Sequence, residues 1–442
     1  MWEIKEERDR TMEFTKFTNE RLGESYYSAK HPSGLRILVC PKEGFGSTYA
    51  VIGTHFGSIN STFINNGRKI TVPDGTAHYL EHKLFESEEG DAFKQYAKTG
   101  ASANAYTSFD VTCYLFSCTE RFEESLGILF DLIRSPYFTP ETVAKEQGII
   151  GQEIKMYDDS PEWRSNMNLF QGMYQFHPIN KDIAGTVETI AEITPEILYD
   201  CYNSYYNLNN MVLCIAGNAD PGQVAQVADS KLKENDPVIT ESIFPEEPYE
   251  VGKTYIEQIL PVAVPLFSLG FKEAGKDEPV TTKESICTSI ILEAFAGEGS
   301  ELYRELLDKK LINSSFASEY MDGSGYRFIS FSGESRDPEL AAEIIRKAVR
   351  ELHEKGISKE DFENARNCTY GRIVRSWDSP SAIATDLLYS EFTGRDVFEA
   401  SKLISEITAD DVNERLKEQL DADNSCLSVI KGIDSAAEDK DV

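Results

Sequence analysis

Residues 74–87 read DGTAHYLEHKLFES, and His78, Glu81 and His82 form an H-x-x-E-H pattern within them. Apolar residues recur at helical spacing through this stretch, which predicts a helix. Residues four apart lie on one helical face, so both imidazoles can reach a single ion, and Glu81 lies near the same face. The stretch therefore predicts a metal site carried by a helix.

Zinc is the metal that this pattern favours. Its usual ligands are imidazoles and carboxylates, and a catalytic zinc site keeps three protein ligands and one open position for water. A nearby carboxylate such as Glu81 can then take a proton from the water. The alternative is that His78 and His82 are a hydrogen-bonded pair on a packed helix, with no metal role.

A third ligand has to come from another segment. Glu146 and Glu153 are seven residues apart on a predicted helix, so they share a face two turns apart. The apolar residues around them are Ile149, Ile150, Ile154 and Met156. They indicate a mostly buried helix, where aligned carboxylates need a partner such as a metal ion. An exposed acidic stripe is the alternative that the spacing leaves open.

Length and charge restrict the possible functions. A chain of 442 residues is too long for one ordinary hydrophobic core, so we expect two or more domains. The net charge of −31 argues against nucleic acid as a partner and is compatible with cationic peptides, although simple solvation also explains it. The sequence has no apolar stretch typical of a signal peptide or long enough to span a membrane. Its cysteines are scattered, which indicates reduced thiols. We therefore expect a cytoplasmic protein with no membrane partner.

Strand-like and helix-like segments follow a similar order twice. The first part closes with NNMVLCIAGNAD, and the second part, which begins near VPLFSLGF, closes with NSCLSVIKG. We predict an α+β fold of two αβ domains with a similar plan. Their predicted boundaries are residues 1–233 and 254–442, joined by a Pro- and Glu-rich linker at 234–253.

Several segments resemble the pitrilysin/insulinase family of zinc metallopeptidases, the inverzincins. DGTAHYLEHKLFES resembles the inverted zinc motif, and the block AHYLEHKLFES looks closest to the YmfH-like bacterial branch. EQGIIGQEIKMYDDSPEWR resembles the helix that carries the third ligand, and GASANAYTSFDVTCY resembles the edge strand beside which substrate lies. The likeness covers most of residues 30–225 and is fainter beyond 255.

The resemblance implies one zinc ion (Zn2+) per chain, held by His78, His82 and Glu153. It makes Glu81 the catalytic base, and it adds Glu146 to the catalytic residues as the carboxylate that supports the site. The implied fold has two homologous αβ domains, each a sheet packed against helices, which together form half of a clamshell-type peptidase. The second domain lacks the metal motif.

The resemblance also assigns substrate binding to one strand. An extended peptide would pair with this strand, and main-chain hydrogen bonds would supply the affinity with little sequence preference. The alternative is an interior strand without a binding role. The residues concerned are Ala103, Asn104, Ala105, Tyr106 and Thr107.

One departure from the family pattern lies in GEGSELYRELLDKKLINSSF. Active relatives carry an Arg and a Tyr where this chain has Glu301 and Ser314. A carboxylate cannot stabilise a developing oxyanion. We therefore expect a heterodimer in which a paralogous peptidase-like subunit supplies the Arg and Tyr. A homodimer, or substitution by the nearby Arg304 and Tyr320, is the alternative.

Two functions from different classes remain. The first is a zinc-dependent endopeptidase, a hydrolase that cleaves short or unfolded peptides in a closed chamber between two chains. The second is a non-catalytic structural or binding subunit of a peptidase-like assembly, because relatives of this fold exist that have lost the metal motif. The intact H-x-x-E-H pattern favours the first, and the substitution at Glu301 keeps the second open.

Overall fold

The computed structural model describes residues 12–88, 90–274 and 278–433. The strands of the first half are β1 (Thr15–Asn19), β2 (Glu24–Lys30), β3 (Arg36–Pro41), β4 (Thr48–Thr54), β5 (Thr62–Asn65), β6 (Arg68–Thr71), β7 (Glu86–Ser87), β8 (Gly90–Asp91), β9 (Ser102–Thr107), β10 (Thr112–Cys118), β11 (Met211–Gly217) and β12 (Thr240–Ser242). Its helices are α1 (Thr76–Leu84), α2 (Ala92–Thr99), α3 (Phe122–Arg134), α4 (Pro140–Asp158), α5 (Pro161–Met173), α6 (Val187–Ile190), α7 (Pro195–Tyr205) and α8 (Pro221–Lys231).

The second half has fewer strands and longer helices. Its strands are β13 (Tyr255–Ile259), β14 (Leu266–Lys272), β15 (Ala317–Gly323), β16 (Tyr326–Glu334) and β17 (Ser425–Lys431). Its helices are α9 (Thr282–Ala296), α10 (Glu301–Asp308), α11 (Pro338–Lys355), α12 (Lys359–Ser376), α13 (Pro380–Thr393), α14 (Val397–Glu406) and α15 (Ala409–Leu416). None of the helices within these described ranges combines the length and the apolar character needed to cross a membrane.

The two large sheets share one five-strand plan. The first sheet has the order β1-β2-β3-β11-β4-β10-β9, and the second has the order β13-β17-β14-β16-β15. In the first, β11 is parallel to β3 and antiparallel to β4; in the second, β17 is parallel to β13 and antiparallel to β14. The strand β11 is a continuous apolar run that is buried throughout, and β17 is buried along all but its last residue, as expected where both faces of a strand are covered. The predicted α+β fold of two homologous αβ domains is confirmed.

The predicted linker at 234–253 is fixed to both halves. It contains β12, which pairs with β5 in a three-stranded sheet. Further along, the carboxylate of Glu247 accepts hydrogen bonds from the backbone N–H groups of residues 175–177. The same carboxylate lies 2.6 Å from Nζ of Lys272 on β14. The domain boundaries stay a prediction.

Each half lends one helix to the sheet of the other half. The helix α5 packs on β14 and β17, and α13 packs on β4 and β11. A Cβ atom added at Gly270 of β14 would lie 2.5 Å from Sδ of Met173 on α5. One added at Gly53 of β4 would lie 3.1 Å from Cδ1 of Leu388 on α13. The absence of a side chain at these two glycines therefore allows the helices to approach the sheets closely.

The helices α1 and α4 lie side by side over the first sheet. Tyr79 and Leu80 of α1 are fully buried in the first core, and the Tyr79 hydroxyl donates a hydrogen bond to the backbone oxygen of Val143 in α4. The helix α4 begins with a capping box at Thr139, followed by Pro140 at its first position. This packing places the H-x-x-E-H segment next to the helix that carries Glu146 and Glu153.

Candidate active site

The residues of the H-x-x-E-H pattern lie on α1. This helix begins after Gly75, whose φ of 91° lies in the left-handed region that glycine adopts most easily. His78 and Glu81 are both buried, with 7% of each residue exposed. The two imidazole rings lie with their centroids 4.6 Å apart, one helical turn from each other. Both rings therefore reach the same side of the helix.

Two imidazoles and one carboxylate converge here. Nε2 of His78 is 3.7 Å from Oε1 of Glu153, and Nε2 of His82 is 3.4 Å from Oε2 of Glu153. One ligand atom from each residue lies within 4.8 Å of the others. The donor set fits zinc, since these are its usual ligands and neighbouring ligand atoms in a tetrahedral zinc site lie about 3.3 Å apart. The group could hold one metal ion.

Glu153 reaches the histidines from α4, which covers the core with one face only. Ile150 and Ile154 are buried in the first core. Ile149 is 49% exposed and Met156 is 59% exposed. The prediction of a mostly buried helix is therefore wrong for one face of α4. Ile150 and Ile154, four residues apart, share the buried side, whereas Ile149 and Met156, seven apart, share a different side that is exposed.

Glu146 contacts His82 on the ring nitrogen that does not face Glu153. Its Oε1 lies 3.0 Å from Nδ1 of His82, which fixes the ring orientation and leaves Nε2 directed at Glu153. Burial lowers the pKa of His82, but hydrogen bonds with Glu146 and Glu153 outweigh it and raise the pKa to about 10. Hydrogen bonds from His78 and His82 hold the pKa of Glu153 well below its usual range. The cluster favours positive charge, which a metal cation supplies in place of protons.

Glu81 is held by the predicted substrate strand. Its Oε2 accepts a hydrogen bond of 2.7 Å from Oγ1 of Thr107, the last residue of β9. Burial raises the pKa of Glu81, while the nearby His78 and the Thr107 hydrogen bond lower it. Such an environment moves a carboxyl group toward the range in which a general base works near neutral pH.

The predicted substrate residues share one exposed sheet edge. The strand β9 pairs with β10 on one side, and its other side has no neighbouring strand among the residues that the structure describes. On this strand the Asn104 side chain accepts a hydrogen bond of 2.9 Å from the backbone N–H of Ala105. Ala103 and Ala105 pack against the first core, whereas Tyr106 packs on the opposite side, against α13. An unpaired edge of this kind can accept another strand.

The two second-half residues that the resemblance aligns with the family Arg and Tyr, Glu301 and Ser314, are exposed. Glu301 is the first residue of α10, and Ser314 lies in the loop before β15. Of the two nearby alternatives, Arg304 donates from Nε to the backbone oxygen of Ser300 at 3.2 Å. The hydroxyl of Tyr320 accepts a hydrogen bond of 3.1 Å from a buried arginine of α15, Arg415. The contacts of both alternatives thus lie within the second half.

Tyr157 contacts the candidate ligand Glu153, a role that the sequence did not predict. Its hydroxyl donates a hydrogen bond of 2.9 Å to Oε1 of Glu153, one turn earlier on α4. Burial, together with this carboxylate, raises the pKa of Tyr157 to about 12, so the phenol keeps its proton at neutral pH. The four-residue spacing from Glu153 is the sequence signal that could have identified it. The bond from Thr107 to Glu81 has no comparable signal.

Two family models match the chain. The model described as "Insulinase (Peptidase family M16)" matches residues 64–187, which include the H-x-x-E-H segment and α4. The model described as "Peptidase M16 inactive domain" matches residues 192–368. Together they extend from the first sheet into the second half of the chain.

Known proteins resemble the chain over nearly its full length. The Bacillus subtilis protein "Uncharacterized zinc protease YmfH" is 38% identical over 93% of this chain and 97% of its own. An M16-like peptidase from Alicyclobacillus acidocaldarius has a solved structure with a TM-score of 0.88 and 32% identity, covering 95% of this chain and 98% of its own.

The structure of pitrilysin shares the fold at lower identity. Its TM-score is 0.73 at 17% identity, and the match covers 95% of this chain but only 46% of the pitrilysin chain. The predicted fold class, half of a clamshell-type peptidase, is confirmed by this match. On the evidence of its near full-length likeness to YmfH, the chain belongs to the insulinase family of peptidases, family M16, in its YmfH-like branch.

Proposed function

We propose that the chain is a zinc-dependent endopeptidase that cleaves short or unfolded peptides. The observation that carries the proposal is the convergence of His78, His82 and Glu153, whose ligand atoms lie within 4.8 Å of one another. One zinc ion per chain would be held by these three residues. The names of the relatives, which include "zinc protease", support the same chemistry.

The residues around the cluster have separate roles in this proposal. When bound, zinc lowers the pKa of water toward neutrality and polarises a carbonyl group. Glu81 accepts a proton from the attacking water at its carboxylate and passes it to the nitrogen of the leaving amine. Thr107 orients that carboxylate through its hydrogen bond, and Glu146 orients His82 through Nδ1.

Substrate binds to the free edge of β9 as an added strand. The edge is unpaired in the described part of the chain, and it ends at Thr107, which contacts Glu81. A peptide paired with Ala103–Thr107 would therefore run past the proposed base. Main-chain pairing needs an extended peptide, which short or unfolded chains supply and folded domains do not.

The decisive test replaces Glu81 while leaving the proposed ligands intact. Glu81→Gln should keep one zinc per chain and lose at least about a hundredfold in kcat, because the amide cannot accept the proton. Zinc content by elemental analysis and cleavage of an unstructured peptide measure the two effects. Glu88→Gln, an exposed glutamate close in sequence, is the matched control. Retained turnover in Glu81→Gln would refute the proposal.

A second function, a non-catalytic subunit, is favoured by one observation. The family resemblance aligns Glu301 and Ser314 of this chain with an Arg and a Tyr of active relatives. A scaffold would hold no stoichiometric zinc after dialysis, whereas the peptidase retains it. Zinc content therefore separates the two functions before any substrate is known.

The same departure leads us to propose a heterodimer with this chain as the metal-bearing subunit. A paralogous partner would donate the missing Arg and Tyr into a closed chamber, since a carboxylate at Glu301 cannot stabilise an oxyanion. We expect the purified chain to cleave peptides only weakly and Arg304→Ala or Tyr320→Phe to change that rate little. Full activity of the isolated chain, abolished by either substitution, would contradict this and favour the chain's own residues.

A further inference from the structure

We propose that three residues, Tyr157, Trp163 and Asp182, form a series of contacts that holds the Glu153 carboxylate in place beside the histidines of α1. We call this series the positioning chain. The inference rests on the proposed zinc site and deepens it. These three residues touch neither substrate nor the reacting atoms, so their role is to fix the geometry and hence the affinity of the site. They connect the two ligand-bearing helices through a route separate from the direct packing of α1 on α4.

The first link of the positioning chain is a hydrogen bond to a candidate ligand. Oη of Tyr157 donates to Oε1 of Glu153 at 2.9 Å, and the same Oε1 faces His78 Nε2 at 3.7 Å. A carboxylate with one oxygen fixed in this way cannot rotate freely about its terminal bond. Hydrogen bonds to a ligating carboxylate are typical of metal sites and tune the affinity.

The second link fixes the tyrosine ring. It stacks on the indole of Trp163, with centroids 4.7 Å apart and an interplanar angle of 26°. The indole is fixed in turn, because its Nε1–H donates a hydrogen bond of 2.7 Å to Oδ2 of Asp182. Trp163 lies near the start of α5, so the contact also determines how α5 follows α4.

The third link returns to the start of the histidine helix. Oδ1 of Asp182 accepts a hydrogen bond of 3.1 Å from the backbone N–H of Ala184. The backbone at Ala184 touches the start of α1 so closely that a Cβ added at Gly75 would lie 2.5 Å from the Ala184 carbonyl oxygen. A Cβ at Gly185 would overlap the carbonyl oxygen of Asp74. The turn at 182–185 therefore contacts the segment that leads into α1 and, through Trp163 and Tyr157, is connected to Glu153 on α4.

These links close a circuit around the candidate metal site. One path runs from Glu153 through the positioning chain and the 182–185 turn to Gly75, the residue that precedes α1. The other runs directly between Glu153 and the two imidazoles. Because the two paths join at both ends, a loosened link should broaden the positions open to the Glu153 carboxylate while the fold persists.

The test is the zinc affinity of Tyr157→Phe, which removes one hydroxyl and keeps the ring on Trp163. Competition with a chelator gives the zinc dissociation constant, and the absorption spectrum of the Co2+-loaded protein reports the ligand geometry. We expect zinc binding about 10- to 100-fold weaker than in the wild type and an altered Co2+ spectrum. Tyr202→Phe is the matched control, since its hydroxyl bonds to the Ile133 carbonyl oxygen instead.

Trp163→Phe supplies a second variant, because it keeps an aromatic ring but loses the Nε1–H bond to Asp182. We expect a smaller loss of zinc affinity, up to about tenfold, and the metal-free protein should unfold as cooperatively as Tyr202→Phe. If Tyr157→Phe does not fold, Trp163→Phe decides alone. If the folded variants bind zinc with wild-type affinity and show an unchanged Co2+ spectrum, the positioning chain is overturned but the proposed function is not. A wild-type chain that holds no stoichiometric zinc would overturn the proposed function with it.

Discussion

The hydrogen bond between Thr107 and Glu81 joins the edge of β9, the proposed substrate-binding strand, to the proposed base. Glu81 is buried, and this bond of 2.7 Å sets the direction in which its carboxylate points. An incoming peptide paired with β9 would pass next to the same threonine. At the scale of single residues, the proposed function therefore couples substrate binding to proton transfer through one hydroxyl group.

Removing that hydroxyl should slow turnover without removing zinc. Thr107→Val keeps the shape of the side chain and deletes the hydrogen bond, and a bond to a charged group contributes about 1.5–3 kcal/mol, so we expect kcat to fall about tenfold or more. Steady-state kinetics with a peptide substrate measures it, and zinc content should stay at one per chain. Thr107→Ser, which keeps the hydroxyl, is the control. Equal kcat in Thr107→Val and the wild type would contradict the role.

The site residues differ in how far the sequence could predict them. His78, Glu81 and His82 could be predicted because their geometry is set by the spacing on one helix. The spacing of Glu146 and Glu153 left an exposed acidic stripe open, and their assignment came from the family resemblance, since the approach of α4 to α1 is a tertiary contact. The roles of Tyr157 and Thr107 depend on side-chain directions that a linear pattern does not contain.

At the scale of elements, sequence patterns missed that α5 and α13 each pack on the sheet of the other half. We call these two the exchanged helices. Periodicity tells which face of a helix is buried but not which sheet covers it. The similar order of elements along the chain was predictable, because β11 and β17 lie in strand-like segments that close the two halves in equivalent places. The two glycines under the exchanged helices, Gly53 and Gly270, occupy similar strand positions and could be interpreted only once the contacts were known.

Gly270→Ala should destabilise the protein by pushing α5 off the second sheet. The added Cβ would lie 2.5 Å from Sδ of Met173 and 2.9 Å from a methyl carbon of Leu169, and both side chains are fully buried. We expect the free energy of unfolding to fall by about 1–3 kcal/mol, the usual cost of overpacking. Urea denaturation measures it. Gly371→Ala in α12, where a Cβ meets open space, should cost nothing and is the control. A Gly270→Ala protein as stable as the wild type would contradict the tight contact.

At the scale of the whole molecule, the exchanged helices connect the two halves, so we expect both halves to unfold as one cooperative unit. The contacts between the halves also include a hydrogen bond of 2.6 Å from the Tyr326 hydroxyl to Asp110 and one of 3.0 Å from Nζ of the buried Lys272 to the backbone oxygen of Met173. Neither half can lose its sheet packing without exposing a helix that covers the other sheet. The proposed zinc site thus depends for its stability on α13, a helix from the far end of the chain.

Leu388→Ala tests this dependence, since Leu388 lies on α13 and is fully buried against the first sheet. Deleting a buried leucine side chain costs about 2–5 kcal/mol, so the melting temperature should fall for the entire protein rather than for the second half alone. Calorimetry and circular dichroism should give one coincident transition in both proteins, because two-state unfolding requires that probes agree. Leu307→Ala, at a leucine that is 44% exposed, is the control and should change stability little. Two separate transitions, with only one shifted by Leu388→Ala, would mean that the halves unfold independently and that the exchanged helices do not couple them.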